Sequence, residues 1–174
     1  NVSRYATIGD GVVVHVAFLQ GATEAAIDAA VKQLCATRVF LIPPIGATEE
    51  QRAAVTATDG TAATRPKPVA LGESDCDVLV VPQATMAGKP KGKVMQYHGQ
   101  APKDDALALY GRFCAQLRSA LVPAEHQSIP IDANGAYTAE DVPAGLRKVL
   151  YGTYGNRQGL DLSSPGPFTH LFES

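Results

Sequence analysis

Apolar residues fall into a few short blocks along this chain, separated by long turn-rich stretches, and each block has a readable period. Gly11 to Leu19 (GVVVHVAFL) is β-branched and aromatic and follows Gly9-Asp10-Gly11, which supplies the positive φ of a tight turn. A buried strand after a hairpin is predicted there. From Thr23 to Cys35, Ile27, Ala30, Val31 and Leu34 recur at helical spacing, with Thr23 placed to cap the free amides of the first turn. Val78 to Val81 (VLVV) is short and wholly apolar, as a central strand is. Ala106, Leu109, Tyr110, Phe113, Leu117 and Leu121 then return at intervals of three and four, predicting a second helix capped by Asp104 and stopped by Pro123. Arg147 to Tyr151, Gln158 to Leu162 and Phe168 to Phe172 read as three further strands.

Two stretches carry no such period. Residues 43–77 are rich in Ala, Thr, Pro and Gly, and within them EEQRAAV alone can make a helical turn or two; a surface insertion is expected. Residues 124–145 form a second irregular insertion, containing Ile129-Pro130 and Asn134-Gly135. The order of elements predicts a mixed, strand-rich α/β fold, with two packed, mostly antiparallel sheets forming a barrel-like core and helices on one side. At 174 residues, a single domain over 1–174 is expected.

Composition narrows the function. Hydrophobic residues at 45% and charged residues at 18% fit a globular chain, not a disordered one. With 15 Lys+Arg against 17 Asp+Glu, the net charge of −2 excludes the polybasic footprint of a bulk nucleic-acid binder, so any such contact is local. There is no apolar run of about 18 residues and no basic leader with a hydrophobic core, so neither secretion nor a membrane partner is expected and a cytoplasmic location is. The chain opens at Asn1, which leaves room for an initiator or a first strand ahead of it. Cys35, Cys76 and Cys114 are odd in number and form no C-x-x-C, and read as reduced structural thiols. His15, His98, His126 and His170 lie far apart and form no ligand pair, so no metal and no cofactor are expected; His15 and His170 read as core or face residues of strands. G-x-S-x-G, the phosphate-loop motif, G-x-G-x-x-G after a strand and H-E-x-x-H are all absent.

Candidate chemistry gathers after the central strand. Gln83 and Thr85 flank the small Ala84 where a buried strand feeds a loop, a common place for a site. Lys89, Lys91 and Lys93 then alternate with Pro90 and Gly92, and Tyr97 offers a stacking surface, which together fit a small phosphate-contacting patch or a solvated charged turn. Ser164-Pro165-Gly166-Pro167-Phe168-Thr169 is a stiff turn with few amide donors. In Gly152-Thr153-Tyr154-Gly155-Asn156-Arg157 the glycines allow close backbone approach, and Arg157 is placed to meet a phosphate or carboxylate.

Four strings in one order, Pro82-Gln83-Ala84-Thr85, Met95-Gln96-Tyr97-His98, Gly152-Thr153-Tyr154-Gly155-Asn156-Arg157-Gln158 and Gly166-Pro167-Phe168-Thr169-His170, resemble the motif series of the D-aminoacyl-tRNA deacylases. The standard branch reads S-Q-F-T-L and N-x-G-P-V-T where this chain has Pro82-Gln83-Ala84-Thr85-Met86 and Ser164-Pro165-Gly166-Pro167-Phe168-Thr169, so the chain is most similar to the animal-type branch. The resemblance implies hydrolysis of the ester of mischarged aminoacyl-tRNA, D-aminoacyl-tRNA first and glycyl- or L-alanyl-tRNA with it, as proofreading in trans. It implies a catalytic Gln83, Ala84 and Thr85, with main-chain N–H groups holding the oxyanion while the 2′-hydroxyl of the terminal adenosine assists. It further implies a chiral filter at Gly166 and Pro167, extended by Phe168 and Thr169, which reaches the partner subunit's site in a homodimer. The tRNA, through its aminoacylated 3′ end, falls to Lys89, Lys91, Lys93, Tyr97 and Arg157; no DNA partner is implied.

Other readings stand beside this one. Thr85 as a nucleophile requires an adjacent base, and none is near in sequence. A non-catalytic RNA-binding module would use the same lysines and Tyr97 but leave the ester intact. A homodimer unrelated to RNA would not place the lysines on a face with Gln83 and Thr85.

Overall fold

The structure, a computed structural model, describes residues 5–56, 67–164 and 168–174. Strand β1 (Gly11–Val16) leads to helix α1 (Glu24–Ala36), strand β2 (Arg38–Phe40) and helix α2 (Glu49–Thr56). Then come β3 (Val69–Ala70), β4 (Asp77–Pro82), the short strands β5 (Lys89–Lys91) and β6 (Val94–Gln96), helix α3 (Lys103–Leu121) and β7 (Val149–Tyr151).

The mixed α/β class is as expected, but the principal sheet is parallel rather than antiparallel. Its order is β1-β4-β7, and antiparallel pairing is confined to β2 with β3 and β5 with β6. No barrel closes among the described residues. Strand β4, apolar throughout after Asp77, takes the central place, as a strand covered on both faces should. One face of the sheet, carrying Val12, Val14 and Val16, Val78 and Val80, and Val149 and Tyr151, packs under α1 and α3. Ile27, Val31 and Leu34 of α1 and all six predicted apolar positions of α3 are buried in that core.

Local chemistry sets the helix ends. Thr23 Oγ1 accepts the Ala26 N–H at 3.2 Å, as predicted. Helix α3 starts earlier than the predicted Asp104 cap: Pro102, with its fixed φ, stands in the capping position, and Asp104 and Asp105 lie in the first turn, where the exposed amides favour negative charge. Thr48 and Gln51 cap each other's backbone ahead of α2, so EEQRAAV makes the short helix expected of it within the 43–77 stretch; Arg52 on that helix pairs with Asp75 at 2.7 Å.

Three expected strands change character. Strand β1 lies at the sheet's edge and has no hairpin partner before it among the described residues; the Gly9 N–H instead donates to Asp77 Oδ2 at 3.1 Å, bending the chain onto β4. Residues 158–162 and 168–172 are exposed or half-buried and form no strand. The edge of β7 they would need is already bonded to Asn134, which accepts the Tyr151 N–H at 2.9 Å. His15 and His170 are accordingly exposed rather than core residues. The three cysteines are free, and burial pushes their thiols above the ordinary range, Cys114 up to about 12, as structural thiols require.

Candidate active site

The three parallel strands end side by side, with Val16 opposite Pro82 and Val80 opposite Tyr151. Loops diverge where parallel strands end, leaving main-chain groups open to a ligand. Strand β4 passes here into Gln83 and a tight 3₁₀ turn over Ala84–Ala87. The Gln83 N–H donates to Val16 O at 2.8 Å, which holds the turn against the end of β1. Met86 N–H to Gln83 O at 3.1 Å and Gly88 N–H to Thr85 O at 3.0 Å close it.

Two side chains fix its interior. Gln83 Nε2 donates to Thr85 Oγ1 at 2.6 Å, and Gln100 Nε2 donates to Ala84 O at 2.9 Å. The N–H groups of Ala84 and Thr85 precede the turn's first internal bond and have no acceptor among the described residues. Both residues are exposed. The turn thus offers two adjacent main-chain donors on a backbone anchored from both sides. Gln100 had no motif to flag it; it follows the turn at His98-Gly99 and reaches Ala84 because Leu19 and Gln100 bridge β1's exit to this segment.

The lysine segment is an antiparallel ribbon. Strands β5 and β6 pair Lys89 with Gln96, Pro90 with Met95 and Lys91 with Val94, around a two-residue loop whose Gly92 has φ +62°. A glycine at positive φ in the first loop position followed by an ordinary residue is the turn that matches strand twist. The period of two puts Lys89 and Lys91 on one face of the ribbon. All three lysines are exposed and form no ion pair among the described residues. The ribbon starts one residue after the 3₁₀ turn, and Tyr97 lies over the intervening Gly88, where a Cβ would stand 2.6 Å from the ring.

The third motif leaves β7. Gly152 N–H donates to Val80 O at 2.8 Å, so Gly152 sits beside β4 two residues before Pro82. The buried Tyr110 hydroxyl of α3 donates to Gly152 O at 2.8 Å, with Val80 O at 3.3 Å, and its ring lies 5.5 Å from that of Tyr154. Burial pushes the Tyr110 phenol well above its ordinary range, so it stays a donor. Gln158 folds back to donate to Thr153 O at 2.5 Å, closing the loop, while Arg157 is exposed. The structure therefore brings Gln83, Ala84, Thr85 and the start of the Gly152 loop to one sheet edge. Phe168 and Thr169 are exposed and form no hydrogen bond to the Gln83–Thr85 turn, and Gly166 and Pro167 lie outside the described residues.

A cleft of about 320 Å³ lies at the opposite edge of the sheet, lined by Asp10, Arg52, Asp75 and Asp77. Asp77 accepts the Gly9 and Lys148 N–H groups there, and Asp75 holds Arg52 through Oδ2, while its buried Oδ1 has no hydrogen-bond partner among the described residues.

The family described as D-Tyr-tRNA(Tyr) deacylase matches residues 2–173. A Leishmania major protein provisionally named D-tyrosyl-tRNA(Tyr) deacylase 2 is 37% identical over 187 residues, covering 99% of this chain and 92% of the relative. D-aminoacyl-tRNA deacylase 2 of Danio rerio is 45% identical over 96 residues, 55% of this chain and 50% of its own length. A solved structure of a probable eukaryotic D-amino acid tRNA deacylase superposes with TM-score 0.74 at 36% identity, covering 99% of this chain and 89% of that one.

Proposed function

Because the chain belongs to the D-Tyr-tRNA(Tyr) deacylase family, we propose that it hydrolyses the ester joining a D-amino acid to the terminal adenosine of tRNA, a proofreading step in translation, and that it does so at the Gln83–Thr85 turn. An aminoacyl ester is already activated, so the reaction needs placement of the carbonyl and stabilisation of the developing oxyanion more than a strong nucleophile. The observation that carries the assignment is the pair of N–H groups at Ala84 and Thr85, on a doubly anchored turn, that have no acceptor among the described residues.

Thr85 acts by position. Its hydroxyl receives a hydrogen bond from an amide NH₂, and an amide donor cannot take up the proton that a nucleophilic hydroxyl must lose. The bond leaves the Thr85 hydroxyl proton free for the substrate. Lys89, Lys91 and Lys93, on the ribbon that follows this turn, and the exposed Arg157 are the groups for tRNA phosphates, and Tyr97 supplies an aromatic face. In the same reading Gly166 and Pro167, with Phe168 and Thr169, form the chiral filter and reach the partner's site in a homodimer.

The test is deacylation of matched D-tyrosyl-, glycyl-, L-alanyl- and L-tyrosyl-tRNA. Loss of the D ester with retention of the L-tyrosyl ester is expected. Thr85→Val should lower kcat/KM about tenfold or more, a loss of roughly 1.4 kcal/mol in transition-state stabilisation. A chain that binds D-tyrosyl-tRNA but leaves its ester intact would be an RNA-binding module instead.

A further inference from the structure

We propose that residues 130–138, in the stretch that matches none of the four motif strings, form a positioning clamp, and that Asn134 at its tip sets the Gly152 loop in register with the Gln83–Thr85 turn. This proposal rests on the deacylase reading for its kinetic part alone.

The segment is a built turn rather than a loose insertion. Asp132 Oδ1 accepts the Asn134 N–H at 2.8 Å and the Ala136 N–H at 3.0 Å, and Asp132 N–H donates to Ala136 O at 2.8 Å. Ile131 bridges Tyr137, and Thr138 N–H donates to Pro130 O at 3.0 Å. Gly135 turns the tip at φ +80°, and a Cβ there would collide with Val149 O and the Tyr151 ring, so the tip is pressed against β7. Its base is fastened as well: Tyr137 donates to Arg147 O at 2.9 Å, and the Arg118 guanidinium of α3 stacks 4.8 Å from the Tyr137 ring centre.

From this base Asn134 does the work of a missing strand. Its carbonyl accepts the Tyr151 N–H at 2.9 Å, and its Nδ2 donates to Tyr151 O at 2.8 Å and to Thr153 Oγ1 at 3.3 Å. One residue thus holds both the last residue of β7 and Thr153, two residues beyond it in the loop. On the other side, the Gly152 N–H bonds Val80. The loop that borders the proposed site is therefore gripped from both sides at its first two residues, and Asn134 is the outer grip. It touches neither Gln83, Ala84 nor Thr85 by hydrogen bond, so its influence on them runs through the loop it grips at Thr153, whose Gly152 N–H bonds Val80 O on the strand that leads into Gln83.

A double-mutant cycle with Asn134→Ala and Thr153→Val, read by steady-state kinetics on D-tyrosyl-tRNA and by amide hydrogen exchange, tests this. Each single variant should lower kcat about tenfold with KM within twofold. The double variant should lose little more than Asn134→Ala alone, because the Asn134–Thr153 contact is already gone in that variant. Asn134→Ala should also speed exchange at Tyr151 and Gly152, and Thr153→Ser, which keeps the acceptor, should restore kcat. Additive losses, a change confined to KM, or unchanged exchange would overturn the proposal. Were Asn134→Ala to fail to fold, Thr153→Val with its Ser control carries the kinetic test. Were the unaltered protein to leave D-tyrosyl-tRNA intact, the deacylase reading would fail, while the exchange measurement would still decide whether the clamp holds the loop.

Discussion

At the scale of single residues, the side chains around the proposed oxyanion site act as supports for main-chain groups. Gln100 holds the Ala84 carbonyl and so fixes the plane of the peptide that presents the Thr85 N–H. A hydrogen bond of this kind contributes about 1 kcal/mol net, so Gln100→Ala should lower kcat/KM roughly fivefold with little change in the thermal midpoint; a matched pair of kinetic and melting measurements checks it. Tyr110 supports the neighbouring loop, and its buried phenol holds its proton more tightly than an unfolded tyrosine does. The folded chain then keeps a proton that the unfolded chain releases above about pH 10, so this stabilisation is complete below that pH and declines as pH climbs past it. Tyr151 and Tyr154, also raised by burial, act in the same direction. Urea unfolding at about pH 8 and about pH 11 should show the loss, and Tyr110→Phe should shrink it.

At the scale of elements, the site depends on how α3 seats the sheet. Leu117 is fully buried between helix and strands, beside Val78, Val80 and Val149. Leu117→Ala should reduce unfolding free energy by about 2–5 kcal/mol, measured by denaturant titration, through lost burial and the cavity left behind. Helices α1 and α3 and strand β4 were legible in the sequence because their periods are local: Ile27, Val31 and Leu34 mark a face whatever surrounds them. The parallel pairing of β1, β4 and β7 was not legible, since register between strands this far apart in sequence is decided by the helices that cross between them. The same holds for the turn over residues 130–138, where Asn134 and Gly135 announce a turn but nothing local says that it docks on β7. Gln83, Ala84 and Thr85 were legible as a candidate site from their place after an apolar strand, whereas the contacts of Gln100 and Asn134 are ones that only the folded chain brings together.

At the scale of the whole molecule, a net charge of −2 is combined with a ribbon bearing three exposed lysines beside the proposed site. The balance limits RNA contact to a small area and favours release after turnover. Each phosphate contact adds about 0.7–0.9 to the salt slope of binding, so replacing Lys89, Lys91 and Lys93 together by alanine should flatten the slope of log affinity against log salt by about 2 to 3, measured by filter binding or anisotropy. The turn at Ala84–Ala87 has one more consequence, for how such a protein tolerates mutation. Every amino acid except proline carries the N–H that position 84 would present, so the point nearest the chemistry is among the least vulnerable to side-chain change. Sensitivity is displaced outward, onto the residues that hold the backbone in place. A saturation screen for loss of deacylation should therefore return a sparse signal at Ala84, apart from proline, and dense signals at Gln100, Tyr110 and Asn134, so that a map of damaging substitutions outlines the frame around the site and leaves its centre nearly blank.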